Sequence, residues 1–248
     1  MRALVYGLAV TGASTVRALQ RRGVDVVVAD DRSGDAAAPL VELAAGLDVE
    51  LVTAPARLDP LVTAVDLVSP SPGVPEWHPV IDAARRHGVP LASEIELAHR
   101  WEQERPGGPR PMIAVTGTDG KTTTTLLLAA MLGRAGHRTV AAGNTEVPLV
   151  DAIETDVDVF VVECTSFRLA WTETFRAEAA IWLNLAEDHL DWHRSMASYE
   201  SAKARLFELQ RADDVAIGFA DDPVVARRLA AAPGRHRSFA HAGADYAV

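Results

Sequence analysis

Short, nearly continuous runs of apolar and β-branched residues recur along this chain, separated by alanine-, leucine- and arginine-rich stretches of helical length. A strand that is apolar at successive positions must be covered on both faces, and parallel strands joined by helical crossovers achieve that. The pattern predicts an α/β protein. Strands are expected at residues 3–6, 24–29 and 65–68, and helices at 14–22 and 79–87, the second closed by Gly88. Residues 104–111 then carry three prolines and two glycines, which predicts a linker at 105–111 between a unit at 1–104 and another at 112–248. Beyond it strands are expected at 112–115, 138–141, 157–162, 179–183 and 215–217, with helices at 121–132, 196–209 and 223–231. Phe239-Ala240 and Asp245-Tyr246-Ala247-Val248 read as the start of a further strand, so a central unit cut short is expected.

Charge narrows the function. Thirty-four acidic against 24 basic residues give a net charge of −10, the wrong sign for a general nucleic-acid binder. A polyanionic ligand would have to be held by local devices. The single cysteine, Cys164, cannot form an internal disulfide, and no apolar run approaches the roughly 20 residues that span a bilayer. A cytoplasmic monomer without membrane insertion is expected.

One local device stands out. The apolar run Ile113-Ala114-Val115 enters Thr116-Gly117-Thr118-Asp119-Gly120-Lys121-Thr122-Thr123, where glycines bracket a turn and Lys-Thr-Thr opens a helix. Glycines let main-chain N–H groups converge on phosphate oxygens, and the helix N-terminus adds a positive dipole end. Lys121 would neutralise β/γ oxygens of ATP and the Thr122 hydroxyl would ligate Mg2+. The spacing Gly117-x-x-Gly120-Lys121-Thr122 is compressed relative to the common P-loop, whose first glycine would fall at Val115. The plain alternative is an ordinary βα turn, but a lysine in the first helical turn opposes the dipole and is left unexplained by it.

The strand ending at Glu163 places a carboxylate where α/β sheets present ligands, a natural second Mg2+ contact; a solvated strand-end acid is the alternative. Cys164 reads as a packed small residue. Asn184-Leu185-Ala186-Glu187-Asp188-His189-Leu190-Asp191-Trp192-His193 gathers titratable groups after a strand, and the His189/His193 spacing carries only a weak zinc signal. Lys203 alone reads as a helix lysine. At the N-terminus, Gly7-Leu8-Ala9-Val10-Thr11-Gly12 keeps the outer glycines of a dinucleotide fingerprint and lacks the middle one, so either a nucleotide site or a tight packing turn follows. Asp30 stands where such a unit places its ribose-binding acid, followed by Asp31 and Arg32.

In order and spacing these pieces resemble the Mur ligase family. The resemblance rests on Gly117 through Thr123, Gly143-Asn144, Glu163-Cys164-Thr165-Ser166-Phe167-Arg168-Leu169, Asn184 through Asp191, Ser71-Pro72-Gly73-Val74 with His78-Pro79, and Ser93-Glu94-Ile95-Glu96-Leu97, and covers essentially the whole chain. It implies a Rossmann-like N-terminal parallel-sheet domain and a P-loop-type α/β central domain. It also implies an ATP- and Mg2+-dependent ligase that joins D-glutamate to UDP-N-acetylmuramoyl-L-alanine through an acyl phosphate, in peptidoglycan precursor synthesis. Asp30, Asp31 and Arg32 would lie near uracil, and Ser71, Pro72 and Gly73 near the diphosphate. Gly117, Thr118, Asp119, Gly120, Lys121, Thr122 and Thr123 would bind ATP. Asn144 and His189 would lie near substrate and γ-phosphate. The metal set would be Thr122, Glu163, His189 and Lys203, the last as the family's carbamylated lysine, and catalysis would fall to Lys121, His189 and Lys203.

Asp119, Glu146, Thr165 and Arg168 depart from the family's usual residues, which are asparagine, glycine, serine and glutamine. The family also has a third domain, so this chain is expected to be inactive alone. A non-catalytic nucleotide-binding module and a folylpolyglutamate-type ligase are the competing expectations.

Overall fold

The structure is a computed structural model and describes residues 1–247. The chain divides into two compact units, Met1–Glu94 and Ile95–Val248. The first runs β1 (Arg2–Tyr6), α1 (Val10–Arg21), β2 (Asp25–Asp30), a 3-10 turn, α2 (Ala38–Leu47), β3 (Glu50–Thr53), α3 (Asp59–Thr63), β4 (Leu67–Pro70) and α4 (Pro79–His87). Its four strands are parallel in the order β3-β2-β1-β4. The order reverses beside β1, and the crevice at the carboxyl ends of β1 and β4 is where such sheets bind ligands. Leu4, Val28 and Val68 are fully buried, as the apolar runs require.

Two local differences from the sequence reading have physical causes. The first helix begins at Val10 rather than 14, because Gly12 packs against the turn: a Cβ there would sit 2.2 Å from the Gly7 carbonyl oxygen. Gly12 is thus a close-approach glycine. The fourth strand runs through Pro70, which lacks an N–H; the ladder continues when Ser71 N donates to Tyr6 O at 2.8 Å. Helix α4 behaves as expected, opening on Pro79 and stopping at Gly88 with φ +66°.

The second unit holds most of α5 (Glu94–Gln103), then β5 (Met112–Thr116), α6 (Lys121–Arg134), β6 (Thr139–Gly143), α7 (Leu149–Ala152), β7 (Val159–Glu163) and α8 (Ser166–Leu169). It continues through β8 (Ala179–Trp182), α9 (Met196–Glu208), β9 (Val215–Phe219), α10 (Pro223–Ala230), β10 (Arg235–Ala240) and β11 (Tyr246–Ala247). The strands form one parallel sheet in the order β11-β10-β9-β8-β5-β7-β6. The chain moves outward from β5 to β6, returns to β7 and then crosses to β8. The switch therefore falls at β5, and Gly117, Glu163 and Asn184 all lie at the carboxyl edge around it. β7 is buried along its whole length. Both sheets are parallel, as the continuous apolar runs predict.

The segment 105–111 lies inside the second unit and is held at Arg110. That guanidinium meets Glu102 through two parallel bonds of 2.8 Å and donates to the Thr155 and Ile153 carbonyls at 2.6 and 2.7 Å. It also lies 4.6 Å from the Phe160 ring centre. Helix α5 is fastened by a second buried carboxylate, Glu96, with no exposed surface. It accepts from Glu173 N, Thr174 N, Thr174 Oγ1, Phe175 N and Arg100 Nε at 2.6–3.1 Å. Burial alone would raise this carboxyl, but the bonds from Thr174, Glu173 and Arg100 outweigh it and hold Glu96 below its ordinary 4.5.

Glu96→Ala should therefore cost about 3–5 kcal/mol in urea unfolding at pH 7, because it strips several buried donors of their acceptor at once. The carboxyl is depressed in the folded state, so its contribution is present above the ordinary value of 4.5 and lost as pH falls through the folded one. The gap between wild type and variant should narrow below that window. A gap unchanged at low pH would contradict this role.

Candidate functional site

Between β5 and α6 the chain makes a short loop whose shape is set from outside. The Asn184 side-chain oxygen, just past β8, accepts from Thr118 N and Asp119 N at 2.9 Å each, and its nitrogen returns to Asp119 O at 3.3 Å. Thr118 Oγ1 accepts from Ala186 N at 2.9 Å and lies 3.2 Å from the Tyr199 hydroxyl. Gly120, with φ +79°, leads into α6, and Thr124 N donates to its carbonyl at 2.9 Å. The first-turn amides before Thr124 have no acceptor within the helix. Asp119, Gly120, Thr122 and Thr123 are exposed.

Two ammonium groups converge on this loop. Lys121 Nζ donates to Thr118 O at 2.6 Å, and Lys203 Nζ, from α9, donates to Gly117 O at 2.6 Å. Lys203 is 1% exposed and lies 4.6 Å from the Tyr199 ring centre. Burial first, then the charge of Lys121, bring Lys203 down from 10.5 to about 7, against the pull of Asp188 and Asp119. Helix α9 reaches this place because Ser195 and Ser198 form a capping box at its start.

Glu163 ends β7 directly beside Val115 of β5, with 1% of its surface exposed. Its Oε1 accepts from Asn144 Nδ2 at 2.7 Å, and Arg168 Nη1 donates to Asn144 Oδ1 at 2.6 Å. Gly143 permits this approach: at φ +90°, a Cβ there would lie 2.4 Å from the Glu163 carbonyl oxygen. Cys164 is fully buried, in keeping with a packing role.

His189 adopts φ +53°, unusual for a residue with a side chain and common where function constrains the backbone. Its N–H donates to Asp188 Oδ1 at 2.8 Å, and its ring lies 4.7 Å from Phe167 and 6.2 Å from Tyr199, the residue that also touches Thr118. Among the described residues no three of His, Cys, Asp and Glu gather as a metal cluster, so the weak zinc signal at His189 and His193 finds no support. A divalent cation fits better at Glu163, whose Oε2 is buried without a hydrogen-bond partner.

The first unit carries its own cluster. Asp30 accepts from Leu8 N at 2.9 Å, from Arg32 N at 3.1 Å, and from Arg32 Nε and Nη2 at 2.8 Å each. Burial pushes its carboxyl up, but the bonds from Arg32 and Leu8 win and hold it at about 2. Asp30 thus shapes the turn after β1, while Asp31 and Arg32 are the more exposed side chains of the cluster. Asp31 accepts from Tyr6 Oη at 2.6 Å and meets His78 Nε2 at 3.0 Å. His78 Nδ1 accepts from Val80 N, so the proton sits on Nε2. Ser71 Oγ donates to Gly7 O at 2.5 Å, setting Ser71-Pro72-Gly73 against the turn after β1 at the sheet's crevice.

Sequence reasoning singled out the 117–123 loop, Glu163 and Asp30, and the structure places the loop and Glu163 at one sheet edge and Asp30 under the turn after β1. Sequence reasoning missed the bracing role of Asn184 and the internal engagement of Asp30, although an asparagine directly after a central strand was a readable signal.

Known proteins resemble this chain in sequence and fold. Residues 1–93 match the N-terminal domain of MurD-like Mur ligases, and residues 115–247 match the Mur ligase middle domain. The chain is 46% identical over 242 residues to a UDP-N-acetylmuramoylalanine–D-glutamate ligase of Frankia casuarinae, covering 95% of this chain and 49% of that protein. It is 44% identical over 227 residues to the enzyme of the same name from Geobacter metallireducens, covering 90% and 48%. The chain spans about half the length of these curated relatives. In fold it resembles the UDP-N-acetylmuramate:L-alanyl-gamma-D-glutamyl-meso-diaminopimelate ligase of Neisseria meningitides, with TM-score 0.60 and 16% identity over 96% of this chain and 77% of that one.

A lysine depressed from 10.5 to about 7 destabilises the fold while charged. The full penalty holds below pH 7 and is relieved as pH rises to 10.5. The stability of wild type relative to Lys203→Met should therefore improve by a few kcal/mol across that range in paired denaturant melts. A pH-independent difference would contradict the burial of a neutral amine.

Proposed function

Because the chain belongs to the Mur ligase family, we propose that its second unit binds ATP at the 117–123 loop and its first unit binds the UDP end of UDP-N-acetylmuramoyl-L-alanine. Together they would form part of an ATP-dependent ligase that adds D-glutamate in peptidoglycan precursor synthesis. The observation that carries the reading is the convergence of Lys121 and Lys203 on the Thr118 and Gly117 carbonyls at the mouth of α6. The Lys121 ammonium and the helix N-terminus make an electropositive mouth in a chain of net charge −10, which suits a triphosphate.

In this reading the first-turn amides of α6 and Lys121 hold β- and γ-phosphate oxygens. Glu163 and Thr122 would hold Mg2+, which when bound neutralises charge on the phosphates. The muramoyl-alanine carboxylate attacks the γ-phosphorus, ADP leaves, and the acyl phosphate formed is then attacked by the D-glutamate amine with release of phosphate. Asn144 and His189 would orient the reacting carboxylate. The neutral form of Lys203 is the one that adds CO2 to give a carbamate, with loss of one proton, converting a buried amine into an anionic ligand. Asp31, Arg32 and the Ser71-Pro72-Gly73 turn would receive uracil and diphosphate.

Calorimetric titration with ATP–Mg2+ and with UDP-N-acetylmuramoyl-L-alanine tests the assignment. Wild type should bind both, and Lys121→Met should weaken ATP–Mg2+ by about 10- to 100-fold, the loss of one charge-assisted bond, while leaving the UDP compound unaffected. ATP–Mg2+ binding of equal strength in wild type and variant would remove the loop from the account.

A further inference from the structure

Glu163 has two oxygens with different fates. Oε1 accepts from Asn144 Nδ2 at 2.7 Å, whereas Oε2 is buried and has no hydrogen-bond partner. Asn144 N also donates to the Glu163 carbonyl at 3.0 Å, so the two residues are joined by main chain and side chain. An asparagine amide can be turned either way, and an ionised carboxylate, which only accepts, draws its nitrogen. Arg168 locks that sense from the other end. Its guanidinium, 4% exposed, donates to Asn144 Oδ1 at 2.6 Å and lies 3.4 Å from Thr165 Oγ1. A guanidinium has donors only, so it can bond only to the oxygen of Asn144, and the nitrogen is held toward Glu163. A side-chain amide at 168 could offer either end and would hold that sense less firmly.

We propose that Arg168 is a positioning residue for the cation site: by fixing the sense of the Asn144 amide it commits one Glu163 oxygen and leaves Oε2 as the oxygen offered to a divalent cation at the nucleotide phosphates. The inference rests on the phosphate-site reading above. Arg168 has two effects of opposite sign, since its charge repels a cation while its hydrogen bond prepares the carboxylate. The charge acts on the cation whatever Asn144 does, whereas the hydrogen bond acts only through Asn144. A double-mutant cycle therefore separates them.

The test is an electron paramagnetic resonance titration of the chain with Mn2+ in the presence of ADP, for wild type, Arg168→Met, Asn144→Ala, the double variant and Glu163→Gln. Arg168→Met and Asn144→Ala should each weaken Mn2+ by about 10-fold, as loss of a group that orients a metal ligand does. The double variant should be no weaker than Asn144→Ala alone, and Glu163→Gln should be weakest. Unchanged or tighter Mn2+ binding by Arg168→Met, or a double variant whose loss is the product of the two single losses, overturns the proposal. Asn144 is exposed, so its alanine variant decides the matter even if the buried arginine variant fails to melt cooperatively: unchanged Mn2+ binding in Asn144→Ala is equally fatal. Wild type indistinguishable from Glu163→Gln would instead contradict the cation reading of Glu163 itself, and this inference with it.

Discussion

Two lysine side chains, Lys203 and Lys121, donate to carbonyls of adjacent loop residues, Gly117 and Thr118, and those two bonds tie helix α9 and the start of α6 to the loop after β5. Burial first, and then the charge of Lys121, disfavours the Lys203 ammonium and brings its pKa down to about 7. An arriving polyanion would compensate the positive charge that remains. The loop keeps its shape without such a ligand because Asn184 gathers two successive amides on one oxygen. The scaffold is therefore organised in advance, and binding need not fund the ordering of the loop.

The sheet explains why these groups meet. Strands β5, β7 and β8 are neighbours and parallel, so their carboxyl ends deliver Gly117, Glu163 and Asn184 to a single edge. Helix α9 then brings Lys203 and Tyr199 onto the same loop from a distant part of the chain. The first unit repeats the principle on a smaller sheet, with the turns after β1 and β4 in contact through Ser71 and Gly7. There a saturated carboxylate, Asp30, takes the place of asparagine as the acceptor that fixes the turn.

Much of this was legible in the sequence. Continuous apolar runs required parallel strands, and the Gly117 to Thr123 pattern announced a strand, a turn and a helix whose first-turn lysine opposes the helix dipole. Glu163 was readable as a candidate because it ends a buried run at the sheet edge where ligands are presented, and its burial separates it from a solvated strand-end acid. Lys203 was not, because its significance lies in a bond to a carbonyl 86 residues away, and no local pattern distinguishes it from a solvated helix lysine. The same holds for Glu96 and Arg110: helix α5 and the proline-rich segment look peripheral, and only long-range carboxylate bonds bind them into the second unit. The Arg168–Asn144–Glu163 relay was hidden for a further reason, since the sense of an amide is decided by its neighbours in space.

The central claim is that main-chain N–H groups at the start of α6 receive phosphate. Amide-resolved nuclear magnetic resonance during titration with ADP tests it most directly. The account predicts that the largest shifts fall on Gly120, Lys121, Thr122 and Thr123, with smaller ones on Thr118 and Asp119, whose amides are already engaged by Asn184. Saturable shifts confined to other parts of the sheet, with these amides unmoved, would contradict it.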